Sequence, residues 1–192
     1  MQAIMPVTQA NMDVIIGSQS AQGRLGIERL FADHKELVFR AAYRVTGNST
    51  DAEDVLQTVF LRLLRLEQTP EIHYLRAYLH RAAVNAALDL LRARRENQNV
   101  PLDDQPEIEG TESTSRLQET GELRAWLREA LSRLNPRWAE MFVLRFIEDY
   151  SNQEIARMMK TSAAVVAVAL HRARAQLRKD YTAKMTRMRG TR

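Results

Sequence analysis

The sequence predicts an all-α fold made of two small helical domains that are joined by a flexible acidic linker. Apolar residues recur at helical spacing in long segments on both sides of this linker, and the 192-residue chain has only seven glycines and five prolines. The linker, residues 96–115, has six acidic side chains and no lysine or arginine, whereas residues 24–95 and 116–192 carry net charges of +3 and +8. Two basic helical bodies therefore flank an acidic strip.

Composition excludes several kinds of site. The chain has no cysteine, so it can form neither a disulfide framework nor a thiolate metal site. Its four histidines fall in no recognised ligand pair, and it has no phosphate-binding glycine loop or nucleophile elbow. We therefore expect no metal, no cofactor and no enzymatic activity. Residues 1–23 lack an early positive charge and a sustained apolar run, which predicts a disordered N-terminal extension rather than a signal peptide or membrane anchor.

The first body, residues 24–95, is predicted to contain three helices. The first ends at Gly47-Asn48, and the third runs from about residue 72 to residue 95. Between them, Thr50 and Glu53 have the spacing of a capping box, which indicates the start of a second helix with an acidic first turn. The break Gln68-Thr69-Pro70 ends that helix.

One outer face of the third helix carries Arg81, Asn85 and Arg92 at helical spacing. Asparagine has poor helix propensity, and its amide can both donate to and accept from a base edge. The sequence alone is equally compatible with a structural role and a DNA-reading role for Asn85.

The second body, residues 116–180, ends in a predicted helix-turn-helix. Ser151 and Glu154 form a capping box for a short helix, and a second helix buries a stripe that begins at Val166 and repeats at helical spacing. Basic residues surround this stripe, an arrangement typical of a helix that enters the DNA major groove. A basic hairpin that only packs is the alternative. We expect Trp126, Trp138 and Phe146 in the core and residues 181–192 to form a basic C-terminal tail.

Four motifs, in this order along the chain, resemble those of a bacterial RNA polymerase sigma factor of the extracytoplasmic-function (ECF) class. They are Asp51-Ala52-Glu53-Asp54-Val55 with Gln57; Leu75-Arg76-Ala77-Tyr78-Leu79 leading to Asn85; Leu134-Asn135-Pro136-Arg137; and the helix-turn-helix with Leu170-His171-Arg172-Ala173-Arg174. A stand-alone helix-turn-helix regulator that acts without polymerase is the rival hypothesis, and the family-like first body argues against it.

The resemblance implies a cytoplasmic protein without membrane insertion. Its partners would be core RNA polymerase, which supplies the catalysis, promoter DNA and, in some cases, an anti-sigma factor. Residues 24–95 would bind the polymerase clamp and the −10 element, and residues 116–180 the −35 element. The implied polymerase-binding residues are Asp51, Glu53, Asp54 and Gln57. The implied DNA-binding residues are Gln68, Thr69, Arg81, Asn85, Arg92, Ala167, Val168, His171, Arg172, Arg174 and Arg178. The acidic linker would either mimic nucleic acid in the polymerase channel or act as a spacer.

The recognition helix departs from the family pattern. Its groove-facing positions are Ala164, Val165, Ala167 and Val168, which cannot donate a hydrogen bond to a base. One hypothesis is that the domain has lost −35 recognition and only docks on polymerase. The other, which we favour, is that Ala167 and Val168 contact thymine methyl groups while His171 and Arg172 make the polar contacts.

Overall fold

The computed structural model describes residues 21–65, 72–98 and 115–190. Within these ranges the protein is all-helical, which confirms the predicted fold class. The seven helices are α1 (Ala21–Thr46), α2 (Ser49–Leu64), α3 (Ile72–Gln98), α4 (Ser115–Arg133), α5 (Pro136–Phe146), α6 (Asn152–Met158) and α7 (Ala163–Gly190). None of the described helices is long and apolar enough to cross a membrane.

The junction between α1 and α2 differs from the predicted capping box. Gly47 ends α1 with a φ of +69°, a backbone conformation that glycine adopts without strain. Asn48, not Thr50, caps α2, because its side-chain oxygen accepts a hydrogen bond from the backbone N–H of Asp51 at 3.1 Å. Thr50 consequently lies inside the first turn. Asparagine serves as an N-cap as well as threonine does, so the helix begins two residues earlier than the motif indicated.

The predicted ends of the chain also differ from the observed helices. Helix α1 begins at Ala21, inside the stretch predicted as a disordered extension, and residues 1–20 lie outside the described residues. Residues 181–190 continue α7 instead of forming a separate tail. The ring of Tyr181 packs edge-on against Trp126 of α4 at 5.0 Å between centroids, which ties this continuation to the second body. Most of the predicted linker, residues 99–114, lies outside the described ranges.

The core consists of the apolar faces that the spacing predicted, together with Trp126. In the helix-turn-helix, the predicted stripe is buried throughout: Val166, Leu170, Ala173 and Leu177. Two aromatic predictions need correction. Trp138 is only partly buried, and Phe146 is 49% exposed. Phe146 is the last residue of α5, so its ring lies on the surface against Phe142 and beside Arg145 and Arg174.

The two bodies pack directly against each other, an arrangement that the sequence analysis did not predict. Helix α3 packs on α1 and α2 within the first body and also contacts α4, α5 and α6 of the second. Buried apolar residues from both bodies form one continuous cluster. Helix α3 is therefore the shared element through which the predicted functional face of the first body meets the second body.

Candidate nucleic-acid interface

The acidic first turn of α2 divides into one buried and two exposed carboxylates. Asp51 is fully buried, and Arg94 of α3 donates hydrogen bonds to both of its carboxylate oxygens, one of them at 2.6 Å. Burial raises the pKa of Asp51 above its ordinary value, an effect that the neighbouring Arg94 partly opposes. The expectation that Asp51 is exposed for a partner is therefore wrong, because its side chain joins α2 to α3.

The other predicted polymerase-binding residues remain accessible. Glu53 and Asp54 are exposed on the outer side of α2, and Gln57 is partly buried one turn later. The carboxylates lie near the N-terminus of α2, where the helix dipole favours negative charge. This turn can offer a basic partner two carboxylates and an amide.

Arg81 and Asn85 lie together on α3, as predicted, but they face the second body. Both donate hydrogen bonds to Oε1 of Glu140 in α5; the Asn85 contact is 3.0 Å long. Arg81 also donates to the backbone carbonyl of Met158 at 3.0 Å. Glu140 is 6% exposed. In this arrangement neither the Arg81 guanidinium nor the Asn85 amide is free of protein partners.

Arg92, the third residue of the predicted DNA-binding face of α3, has a different partner from Arg81 and Asn85. Arg92 bonds to Asp89 one turn earlier at 2.8 Å, while its Nε and second terminal nitrogen are buried without a hydrogen-bond partner. Arg95, at the end of α3, donates to the backbone carbonyl of Ser132 in α4 at 3.3 Å. Gln68 and Thr69 lie outside the described residues.

The helix-turn-helix is fixed by local signals that the sequence contains. The side chains and backbones of Ser151 and Glu154 form the predicted capping box at the start of α6. These hydrogen bonds lower the pKa of Glu154. Lys160 adopts a positive φ of 50° in the turn, and the Ser162 hydroxyl accepts from the backbone N–H of Val165 to cap α7. These contacts set the angle at which α7 leaves the turn.

The outward side of α7 has the apolar and basic character that the sequence predicted. Ala164, Val165, Ala167 and Val168 are all exposed. A groove of about 310 Å³ separates this side from Trp138 and Met141 of α5. His171, Arg172, Arg174 and Arg178 are exposed one to three turns further along.

Two of these arginines are held against aromatic rings. The guanidinium of Arg172 lies 5.7 Å from the centroid of the Trp138 ring, and that of Arg174 lies 5.9 Å from Phe146. The partly buried Trp138 and exposed Phe146 therefore serve as supports for basic side chains. The structure brings Ala167, Val168, His171 and Arg172 onto one accessible helix, apart from the α3 residues.

A second polar cluster lies between the bodies, and sequence analysis missed it. Glu148 has a side chain that is 1% exposed, and its Oε2 accepts from Arg44 of α1 at 2.9 Å and from His80 of α3 at 2.6 Å. The other ring nitrogen of His80 lies 2.6 Å from the Tyr150 hydroxyl. Burial and the neighbouring Glu148 raise the pKa of Tyr150. Since a carboxylate only accepts, Nε2 of His80 donates to it, and in neutral His80 Nδ1 accepts from Tyr150.

Glu140, the partner of Arg81 and Asn85, was also missed, although its position within the most apolar stretch of α5 was a signal. An acidic side chain at a core position requires a buried partner, which only another element can supply. Among the described residues, no group of three or more histidine, aspartate or glutamate side chains is placed to hold a metal ion.

Comparison with known proteins places this chain in a family. Residues 30–97 match sigma-70 region 2, and residues 124–177 match sigma-70 region 4. The chain is 32% identical over 161 residues to the RNA polymerase sigma-E factor of Streptomyces coelicolor. The matched residues cover 83% of this chain and 88% of that protein. It is 35% identical over 166 residues to the ECF RNA polymerase sigma factor SigE of Mycolicibacterium smegmatis, across 82% of this chain and 62% of that longer protein.

Among solved structures, the chain is similar to CnrH in a complex with the cytosolic domain of CnrY. The identity is 26%, the match covers 89% of this chain and 97% of that one, and the TM-score is 0.49. The region 2 match lies in the first helical body and the region 4 match lies in the second. This chain belongs to the ECF class of RNA polymerase sigma factors, the proteins that direct polymerase to promoters.

Proposed function

We propose that this sigma factor performs promoter-directed initiation through three separate surfaces. The exposed part of the α2 first turn, Glu53 and Asp54 with Gln57, binds core RNA polymerase. The α3 face with Arg81, Asn85 and Arg92, together with Gln68 and Thr69 of the preceding segment, reads the −10 element. The outward side of α7 reads the −35 element.

The observation that supports the proposal best is that α7 combines a buried apolar stripe on one side with exposed apolar and basic side chains on the other. Its buried stripe anchors it to α5 and α6, while Ala167, Val168 and His171 remain exposed on the opposite side. A helix anchored in this way presents a fixed set of side chains to the major groove. The apolar side chains suit thymine methyl groups, and Arg172, Arg174 and Arg178 suit phosphates and fix the register. This favours −35 reading over a domain that only docks.

The first body has residues suited to a different step, the opening of the promoter at the −10 element. Opening a promoter requires a base to leave the DNA stack. The free energy lost by unstacking this base must be offset by hydrogen bonds and stacking contacts from the protein. Asn85 offers a donor and an acceptor, and Arg81 lies one turn away to hold a phosphate. We propose that these residues act together on the −10 element once Glu140 has moved away from them.

The proposed partners and location follow from family membership. Core RNA polymerase supplies the catalysis, so the chain itself acts as an initiation factor rather than an enzyme. We propose that it works in the cytoplasm, where polymerase and the chromosome are. An anti-sigma factor that binds the free protein is a further partner that the family resemblance implies.

Run-off transcription with core polymerase tests this proposal. The full chain and core enzyme are incubated with fragmented genomic DNA, and the transcript start sites are sequenced. We expect transcripts that share two elements separated by a constant spacing, and none from core enzyme alone. Promoter-independent transcript starts, or failure of the folded chain to bind core enzyme, would contradict it.

A further inference from the structure

The groove between α5 and α7 lies beside the proposed −35 surface and has an apolar interior. Trp138 and Met141 of α5 form one wall, and Val165 and Val168 of α7 form the other. Met141 is fully buried, whereas the two valines are 47% and 51% exposed. The groove therefore offers apolar side chains from two different helices to the same partner group.

Basic side chains complete the lining of the groove. Arg137 is exposed in the first turn of α5, and the exposed Arg172 approaches from α7. Among the described residues that line the groove, none is acidic. The complementary partner therefore carries an apolar group between negative charges. A DNA strand has this chemistry, because its phosphates flank the bases and thymine presents a methyl group at the major-groove edge.

Trp138 is held in place before any partner arrives. Asn135 caps α5: its side chain accepts from the backbone N–H of Arg137 at 3.1 Å, and its carbonyl accepts from the backbone N–H of Trp138 at 3.0 Å. The guanidinium of Arg172 lies 5.7 Å from the centroid of the Trp138 ring. Because the ring is already ordered, little conformational entropy is lost when a partner binds against it.

A wall from α5 changes what the apolar positions of α7 can discriminate. A methyl group that touches a single helix surface stays partly in water, whereas a methyl group between Trp138 and Val165 is removed from water on two sides. Thymine and cytosine differ in the major groove by this methyl group and by the substituent at C4. Since valine has no hydrogen-bond donor, burial of the methyl group is the means by which Val165 can favour thymine.

We propose that Trp138 is a specificity-determining residue of the −35 surface, where it forms with Val165 a slot for the methyl group of one thymine. This inference rests on the proposed function, which assigns −35 reading to the outward side of α7, and it adds a residue from a different helix. Arg172, held over the Trp138 ring, contacts a neighbouring phosphate and fixes the strand beside the slot.

The test removes the methyl group and leaves the rest of the DNA unchanged. Each thymine of the −35 element found by start-site sequencing, on either strand, is replaced singly by deoxyuracil. Filter binding of holoenzyme then gives the ratio of the affinities for the thymine and deoxyuracil duplexes. With the wild-type chain we expect one position at which this ratio is about four, the effect of burying one methyl group. In Trp138→Leu the ratio at that position should fall to one, and an unchanged ratio would overturn the slot.

Two further variants make the test specific to the groove. Phe146→Leu is the matched control, because Phe146 also supports an arginine, Arg174, but does not line the groove. It should keep the wild-type ratio. Val165→Ser removes the opposite wall at an exposed position and gives a second route if Trp138→Leu does not fold. It should lose the preference at the same thymine as Trp138→Leu; loss at a different thymine would overturn a slot shared by the two residues.

The remaining outcomes separate this inference from the proposed function. If Trp138→Leu weakens binding to both duplexes equally and reduces the salt dependence, Trp138 only supports Arg172 and the slot is overturned. If the wild-type holoenzyme prefers particular −35 bases but is insensitive to removal of every methyl group, the slot fails while −35 reading stands. Insensitivity to every base of the element would overturn −35 reading itself, and the slot with it.

Discussion

Arg94 donates hydrogen bonds to both carboxylate oxygens of Asp51, a residue 43 positions earlier whose side chain is 1% exposed. This pair ties the start of α2 to the end of α3. Reversal of the Asp51 charge would leave a lysine buried beside Arg94, so an Asp51→Lys/Asp54→Lys variant should lose stability whatever its effect on polymerase binding. Tests of the polymerase-binding surface therefore need the neighbouring exposed residues.

Asp51→Asn should lower the free energy of unfolding by about 2 kcal/mol, because hydrogen bonds to charged groups contribute about 1.5–3 kcal/mol and Arg94 loses its anion. Urea denaturation followed by circular dichroism measures this change. Asp54→Asn, at an exposed position of the same turn, is the control and should change stability by less than about 0.5 kcal/mol. Equal effects of the two variants would contradict the structural role of Asp51.

Glu53→Lys/Asp54→Lys should weaken holoenzyme formation by tenfold or more while leaving the fold intact. Both side chains are exposed on α2, and charge reversal adds repulsion to the loss of attraction for a basic partner. Titration of labelled protein with core polymerase measures the affinity. The control Asp33→Lys/Glu122→Lys has the same change of charge at exposed positions of α1 and α4. Unchanged core binding by the folded variant would remove this surface from the proposal.

Asn85→Ala should reduce base discrimination at one position of the −10 element by about 1–3 kcal/mol, by analogy with a lost bidentate contact. The measurement is a scan of all single-base promoter variants, transcribed by the wild-type and mutant holoenzymes. Holoenzyme is used because Asn85 donates to Glu140 in the free protein. The same base preferences in both enzymes would show that Asn85 has only its structural contact.

The −35 surface should respond differently to changes in its basic and apolar residues. Arg172→Ala removes a guanidinium that lies over Trp138 and should weaken −35 binding for all sequences, with a salt dependence reduced by about one counterion. Ala167→Arg should instead alter the preferred base. Filter binding of holoenzyme across a salt series and a −35 library measures both. A sequence-independent effect of Ala167→Arg would favour the docking-only hypothesis.

The capping box at α6 gives a stability effect that depends on pH. Ser151→Ala should cost about 1 kcal/mol, as for other N-cap replacements. Hydrogen bonds from Ser151 lower the pKa of Glu154 below its ordinary value of 4.5. The stability that Glu154 contributes is therefore fully present above that value and is lost as the pH falls through the lower folded-state pKa. The stability difference between wild type and Glu154→Gln, measured by urea denaturation, should shrink between pH 6 and pH 3; a constant difference would contradict this.

Sequence reasoning succeeded where the signal is local. The α6 capping box and the buried stripe of α7 each depend on residues close together within one segment, so they can be identified without tertiary structure. The outward apolar positions of α7 were implied by the family resemblance, and they are exposed in the structure. The fold class and the helix-turn-helix were therefore predicted correctly.

The remaining features depend on residues far apart in the chain. Asp51 lies in an acidic first turn of the kind that is usually exposed. Only the approach of Arg94 from α3 explains why its side chain is buried. Likewise, Arg81 and Asn85 lie 59 and 55 positions from Glu140, across the acidic segment that was predicted as a flexible linker. A flexible segment carries no information about whether its flanking bodies touch. The accessibility of the predicted site residues was therefore identified more reliably on α7 than on α3.

The continuous apolar cluster that joins the two bodies has a consequence for how this sigma factor melts. Elements from α1 to α7 share one core, so heat should unfold them in a single cooperative transition although two separate family regions match the chain. Damage to the core of either body then depletes both of the proposed promoter-reading surfaces at once.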